Sequence, residues 1–352
     1  MMTATDTKPK TPARHKNKLG WGKLAKNMLI PFFLATIMGL AYLGAFHQPT
    51  PHNLPVAVVG DSAATKVFAQ TIKDNAGDAL SVQTIKDADA ARQLISDRDI
   101  AAAFDMGKDG ATLMVSSAAS ETTANITEKI FMPIAYEQHV PFQVEDVVPA
   151  GEHDSTGQGI FFLLVALSIG GYASAVPLSG FMSKVKLPTR FALAVLAGAI
   201  VAALGTIIAG PIYGVLSQHA FGAWAISWVY ATSIIMLGMG LHPMLHHWTT
   251  PILTLCFVAL NFTSSGGIFT PAVQPGLFAG LNTFWNGAAW LHAVQTVVYF
   301  PEQSLGMDLL KLFLWLVPGI LLMVLTHAWS VRKTRLANEA EAIKEIEEAV
   351  AA

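Results

Sequence analysis

Two gaps in the charge pattern constrain this chain more than any motif it carries. From Ser155 to Pro301 there is no aspartate or glutamate, and from Phe191 to Leu310 no lysine or arginine. An ordinary soluble domain carries about one charged residue in four. Here the whole chain of 352 residues has 13% charged and 53% hydrophobic residues. That balance argues against a disordered chain, a basic nucleic-acid-binding domain and an ordinary cytosolic enzyme. The single cysteine, Cys256, excludes an intramolecular disulfide and a Cys-based zinc site. The reading that remains is an α-helical polytopic membrane protein, with membrane lipids as its first partners and no nucleic acid.

A helix needs about 20 mostly apolar residues to cross a bilayer. The first such stretch is 29–46, preceded by a basic N-terminus, residues 1–28, that holds Lys8, Lys10, Arg14, Lys16, Lys18, Lys23 and Lys26. This flank is longer than that of a signal peptide, and no A-x-A site follows, so an uncleaved anchor is expected. Trp21, Leu24 and Met28 recur at helical spacing. They suit a short helix on the inner surface, or a flank that only orients the anchor.

Further spans are expected near 160–182, 191–216, 224–241, 252–262 and 309–329, about six transmembrane helices in total. The short fifth either continues into the turn after Ser264 or breaks there and re-enters. Basic residues test the orientation. A cytoplasmic N-terminus puts Lys184, Lys186 and Arg190 inside, with Arg332, Lys333 and Arg335. The outer loops expected at 217–223 and 263–308 then contain no lysine or arginine. The expected organisation is a first transmembrane helix (29–46), an extracytoplasmic domain (47–159), a five-helix membrane domain (160–330) and a cytoplasmic tail (331–352).

The segment 47–159 has soluble composition. From Asp61 to Asp154 it carries sixteen acidic residues against seven basic ones, a net charge of about −9. Its pattern reads βαβαββα, with strands at 55–59, 80–85, 100–104 and 112–116, helices at 64–75, 87–96 and 120–136, and a last strand at 144–148. Gly60-Asp61-Ser62 is expected to cap the first helix, Asp87 or Asp89 the second, and the third is entered through Ser120 and Glu121. This order predicts a small α/β layer domain. His139 and His153 accompany no nucleophile motif, and the Asn125-Ile-Thr127 sequon carries little weight.

The membrane half offers no catalytic signature. Without intramembrane carboxylates a proton-coupled antiporter is disfavoured. There is no H-E-x-x-H, and no G-x-x-x-x-G-K-[ST], since Gly22-Lys23 is followed by leucine. Any ATPase would be a separate chain, and no catalytic residue, cofactor or metal is expected. His242 and His246 would share a face if both were helical, but no carboxylate or cysteine lies near them in sequence. A loop at headgroup level, with Trp248 as anchor, is the simpler reading. The glycines and alanines of 170–175 and 198–210 suit close helix packing.

One segment is recognisable. Ser264-Ser265-Gly266-Gly267-Ile-Phe269-Thr-Pro271, followed by Pro275-Gly-Leu-Phe278, resembles the S-S-G-G-x-[FY]-P…P-x-[FL]-F segment of the ABC type-2 permease superfamily, in particular its YhgE/Pip (phage infection protein) branch. Pro55-Val-Ala-Val-Val-Gly-Asp61, Asp146-Val-Val-Pro149 and Asp154-Ser-Thr-Gly157 resemble members of that branch too. The order of parts agrees from about Leu29 to Trp329. The resemblance implies a homodimer in a bacterial plasma membrane that exports a hydrophobic or amphiphilic compound, a lipid or a drug, with a separate ATPase subunit docked inside. The short inner loop at 183–189 departs from that pattern. The segment 19–27 or the acidic run 338–352 would have to serve for docking. Gly266, Gly267 and Pro271 break helical hydrogen bonding, so a re-entrant hairpin near 263–307 is expected, with a plain glycine-rich loop as the other reading. A non-transporting envelope scaffold or receptor acting through its acidic outer domain is the alternative function.

Overall fold

The computed structural model describes residues 21–107, 110–154, 156–181, 185–216 and 219–351. Most of the basic flank, the centre of the 107–110 turn and Lys184 lie outside them. Among the described residues, five helical segments are long and apolar enough to cross a membrane: Leu24–Phe46, Gly159–Gly180, Leu187–Ile212, Ala220–Ser264 and Gly306–Ala351. The chain is a polytopic membrane protein with a small α/β unit.

The count differs from the expected six for a physical reason. Ala220–Ser264 spans 45 residues but folds back on itself. Helix α7 (Ala220–Leu245) ends where His246 takes a left-handed backbone, φ 50°. The return leg, α8 (Thr249–Thr254), a π turn (Leu255–Ala259) and α9 (Leu260–Ser264), runs antiparallel to it. Asn261 meets Tyr230, and Leu253 packs at Gly238. The expected fifth span is this 16-residue leg, too short and too broken to count alone. Because His246 lies beyond the helix, it shares no helical face with His242, whose Nδ1 instead meets Thr249 Oγ1 at 3.1 Å.

Two other boundaries differ. Helix α1 (Trp21–Phe46) is continuous, so Trp21, Leu24 and Met28 belong to the same helix as the apolar stretch, not to a separate surface helix. Helix α12 (Gly306–Ala351) runs unbroken through residue 330 into the tail. Nothing in its backbone marks the boundary expected there.

The α/β unit follows from strand alternation. In β1 (Leu54–Val59), Val56 and Val58 point to one face and Ala57 to the other. The first face packs against α2 (Ala63–Ala76) and α4 (Ser117–Glu137), with Phe104 stacked on Phe131 at 5.1 Å. The second packs against Ala91 and Ile95 of α3 (Ala88–Ser96). With β2 (Leu80–Ile85), β3 (Ala102–Met106), β4 (Ala111–Val115) and β5 (Phe142–Asp146), the sheet order is β2-β1-β3-β4-β5. Only the β3–β4 pair is antiparallel. β2 and β3 lie on opposite sides of β1, so right-handed crossovers put α2 and α3 on opposite faces. Ser62, Asp87 and Ser116 cap α2, α3 and α4. Ser120 is extended within α4 and accepts from Thr123 N–H, capping the main part of that helix.

The bundle is built round α7, which packs against α5 (Gly159–Gly180), α6 (Leu187–Ile207), α11 (Asn286–Tyr299) and α12. Apolar surface gains little on leaving lipid, so polar contacts and close packing must register the helices. The Tyr230 hydroxyl, fully buried, lies 2.6 Å from Ser168 Oγ of α5 and accepts from Asn261 Nδ2 at 2.7 Å. Asn261 Oδ1 accepts the Gly287 N–H at 3.1 Å, and Trp290 Nε1 donates to Ser227 Oγ at 3.1 Å. Four chain segments thus meet at one tyrosine. Asp154, buried before α5, accepts from the N–H groups of Gln158 and Gly159 and anchors that helix; burial raises its carboxyl above the usual range, and those two bonds oppose the rise.

Removing Asn261 strands the Gly287 N–H and leaves the Tyr230 hydroxyl with Ser168 alone. Asn261→Leu should therefore cost about 1–3 kcal/mol in detergent unfolding, against about 0.6 kcal/mol for Tyr230→Phe, the mean for such membrane hydrogen bonds. In the α/β unit, Arg92 Nε donates to Glu145 Oε1 at 2.7 Å, and this holds the Glu145 carboxyl below its usual value of 4.5. A lowered carboxyl stabilises above the unfolded value and loses that contribution as pH falls through the folded one. Wild type should exceed Arg92→Gln in melting temperature at pH 7, and the gap should close below about pH 4.5.

Candidate functional site

A cavity of about 590 Å³ lies where the α/β unit meets the bundle. That is within the roughly 300–1,000 Å³ typical of small-molecule sites. Three walls enclose it. The α/β unit contributes Leu54, Ile95, Arg98, Ile100, Ser116 and Thr123. The serine-glycine segment contributes Ser265, Gly266, Thr270 and Pro271, and α11 and α12 contribute Ala289, Leu291, His292, Gln295, Met307, Asp308 and Lys311. Most of this surface is apolar, and the charged groups gather at one pole.

The geometry of that pole is specific. His292 Nδ1 lies 2.5 Å from Asp308 Oδ2, with the carboxylate buried. Arg98 has left-handed backbone, φ 60°. Its Nε donates to Gln303 Oε1 at 2.8 Å, its Nη2 donates to Thr296 Oγ1, and its guanidinium lies 4.5 Å over the Phe300 ring. Its Nη1 is buried with no hydrogen-bond partner among the described residues. Burial lowers the Arg98 guanidinium to about 10, while Asp308 opposes the drop. Such a group remains charged at neutral pH and holds a donor in reserve.

The recognisable segment divides between lining and framing. Ser265, Gly266 and Pro271 line the cavity. Ser264 sits at the end of α9, its hydroxyl donating to Leu260 O at 2.6 Å and its carbonyl accepting from Asn282 Nδ2 at 2.8 Å. Gly266 has φ 87°, a conformation that L side chains rarely adopt. Gly267 lies flat against the Phe161 ring of α5, where a Cβ would overlap the ring atoms. Phe269 packs with Phe46 at 5.9 Å and against the α/β core. Pro275 precedes the first turn of α10 (Gly276–Asn282), and Phe278 of that helix is buried near Gly44.

The same segment ties the two parts together. Thr122 Oγ1 donates to Ile268 O, and the Thr123 and Thr270 hydroxyls lie 3.1 Å apart. Val273 is fully buried in the α/β core. After it, α10 and α11 form a helical hairpin. Its tip reaches far into the bundle: Trp285 Nε1 donates to Cys256 O at 3.2 Å, and Trp315 Nε1 donates to Phe284 O at 2.8 Å.

Sequence reasoning did not select Arg98, His292, Asp308 or Lys311. Signals were present. Lys311 is the residue that closes the gap in basic residues, and its i, i+3 spacing from Asp308 sets the two on one helix face. Arg98 had no signal, because only the tertiary fold carries it to Gln303. Among the described residues no group of three or more His, Cys, Asp or Glu side chains converges on a point.

No family model matches the chain, and no curated protein and no solved structure is significantly similar to it.

The close approach at Gly267 makes a sharp test. Gly267→Ala should force the segment off α5 and cost about 1–3 kcal/mol, read as a lower unfolding midpoint in detergent. Gly276→Ala, where a Cβ meets nothing within 4 Å, should be near neutral.

Proposed function

We propose that this chain is a permease-like membrane subunit that exports a hydrophobic or amphiphilic compound, a lipid or a drug, with any ATPase on a separate chain. The observation that carries this reading is the cavity. Its apolar walls suit a hydrocarbon body, and the Arg98–His292–Asp308–Lys311 pole suits a polar head. One end of the site is thus greasy and the other charged, which is the chemistry of an amphiphile. The α10–α11 hairpin dips back towards the middle of the bundle, as a re-entrant element would, and packs under the cavity. The resemblance of the Ser264–Phe278 segment to ABC type-2 permeases of the YhgE/Pip branch points the same way. It carries with it a homodimer in a bacterial plasma membrane, with both termini cytoplasmic and the α/β domain outside. Helix α1 suits a dimer or lipid contact, since little of its apolar surface is covered within the chain.

The acidic surface of the α/β domain favours a second reading. Asp61, Asp74, Asp78, Asp89 and Asp99 are all exposed, a surface suited to a basic protein partner in the envelope. In that case the membrane helices are an anchor.

The two separate in cells. Deleting the gene should raise accumulation of at least one fluorescent amphiphile in a broad panel, and wild type should restore efflux. Ala119→Trp, which grows from a half-buried cavity wall into the space, should restore expression but not efflux. No accumulation difference across the panel, with the protein expressed, would sink the transport reading. Gentle purification should then recover an ATPase with wild type; capture of a soluble basic partner instead, unaffected by Ala119→Trp, supports the scaffold.

A further inference from the structure

The end of the bundle farthest from the sheet holds a second cavity, an open cleft of about 740 Å³ between the start of α6 and the lower half of α12. Lys186, Arg190, His327 and Arg335 line it, with Glu339. Arg335 Nε donates to Glu339 Oε1 at 2.8 Å, so the cleft's one carboxylate is already neutralised. Lys186 and Arg190 are left without an acidic partner among the described residues. Arg190 is 5% exposed, and its Nε donates to the Val185 carbonyl at 3.2 Å. A buried guanidinium with no counter-charge is costly to hold in a fold. Beside it, His327 Nδ1 is buried with no hydrogen-bond partner among the described residues. Both observations mark a place that an anion would complete.

The depth of the cleft says which kind of anion. His327 lies roughly 30 Å along α12 from Gly306 at a rise of about 1.5 Å per residue, one hydrocarbon thickness from the helix's start. Ile320 and Val324 are exposed above it on the same helix face, and Trp329, with Lys333 5.7 Å from its ring, lies just below. Apolar surface therefore gives way to positive charge at this level, as it does where acyl chains meet phosphates. We propose that this cleft binds the phosphate group of an anionic phospholipid, held by Arg190 and Lys186 with its acyl chains along α12. Free phosphate offers the same chemistry but gains nothing from Ile320 and Val324.

Native mass spectrometry of the full-length protein in detergent tests this, with palmitoyl-oleoyl phosphatidylglycerol, the matching phosphatidylcholine and inorganic phosphate as separate probes. Wild type should retain phosphatidylglycerol at least tenfold more than phosphatidylcholine, and millimolar inorganic phosphate should not displace it. Each lost charge should cost about fivefold, so Lys186→Gln with Arg190→Gln should abolish the preference. Should Arg190→Gln fail to fold, the exposed Lys186→Glu should still cut retention at least fivefold. Equal retention of the two lipids, or an unchanged preference in a folded variant, overturns the proposal. Displacement by inorganic phosphate alone overturns the lipid assignment in favour of a soluble anion.

Discussion

The hydrogen-bond network through Tyr230 and Asn261 is the constraint on which the membrane half depends. In lipid a polar group has no water to fall back on, so each must find its partner inside the protein. Tyr230 serves Ser168 on one side and Asn261 on the other, and Asn261 in turn holds the N–H of Gly287. That last bond sets where α11 begins. Once Gly287 is placed, helical periodicity brings Leu291, His292 and Gln295 to the cavity. The charged pole is thus positioned by an uncharged network several residues away.

The α/β domain is not simply tethered by its chain ends. Residues 268–273 leave the bundle, exchange hydrogen bonds with α4 and bury Val273 in the domain's core. Arg98 reaches the other way, from the domain to Gln303 and Thr296. The two halves share side chains on both sides of the cavity. A change in their relative position must alter the cavity's shape, because its walls come from both halves.

Much of this architecture could be read from sequence wherever periodicity and caps agree. The strands and helices of the α/β unit lie within a few residues of their expected places, and Ser62, Asp87 and Ser120 cap as their spacing implied. The first four strands were offset by no more than two residues from their alternation pattern. The return leg after His246 was harder. A 16-residue stretch interrupted by a π turn has no clear period, and nothing local distinguishes a short span from half of one. The serine-glycine segment stood out because Gly266, Gly267 and Pro271 interrupt helical structure. Arg98, which shares the cavity with it, was invisible, since charge on a soluble domain says nothing about which distant loop it will meet. At residue 330 the helix continues, because helix propensity in the acidic tail carries on what hydropathy began, and only the composition changes there.

The unbroken length of α12 has a mechanical consequence. At about 1.5 Å per residue its 46 residues extend roughly 69 Å, more than twice a hydrocarbon core of about 30 Å. Asp308 and Lys311 sit at its first turns, on the wall of the upper cavity, while His327 and Arg335 sit at the cleft near the far boundary. A helix of that length, although Pro318 omits one of its hydrogen bonds, acts as a lever. A tilt of about 5° about its upper end displaces the far tip by roughly 6 Å on that length. Movement too slight to open a gap beside Asp308 is therefore amplified into a full helical turn's travel at the tail.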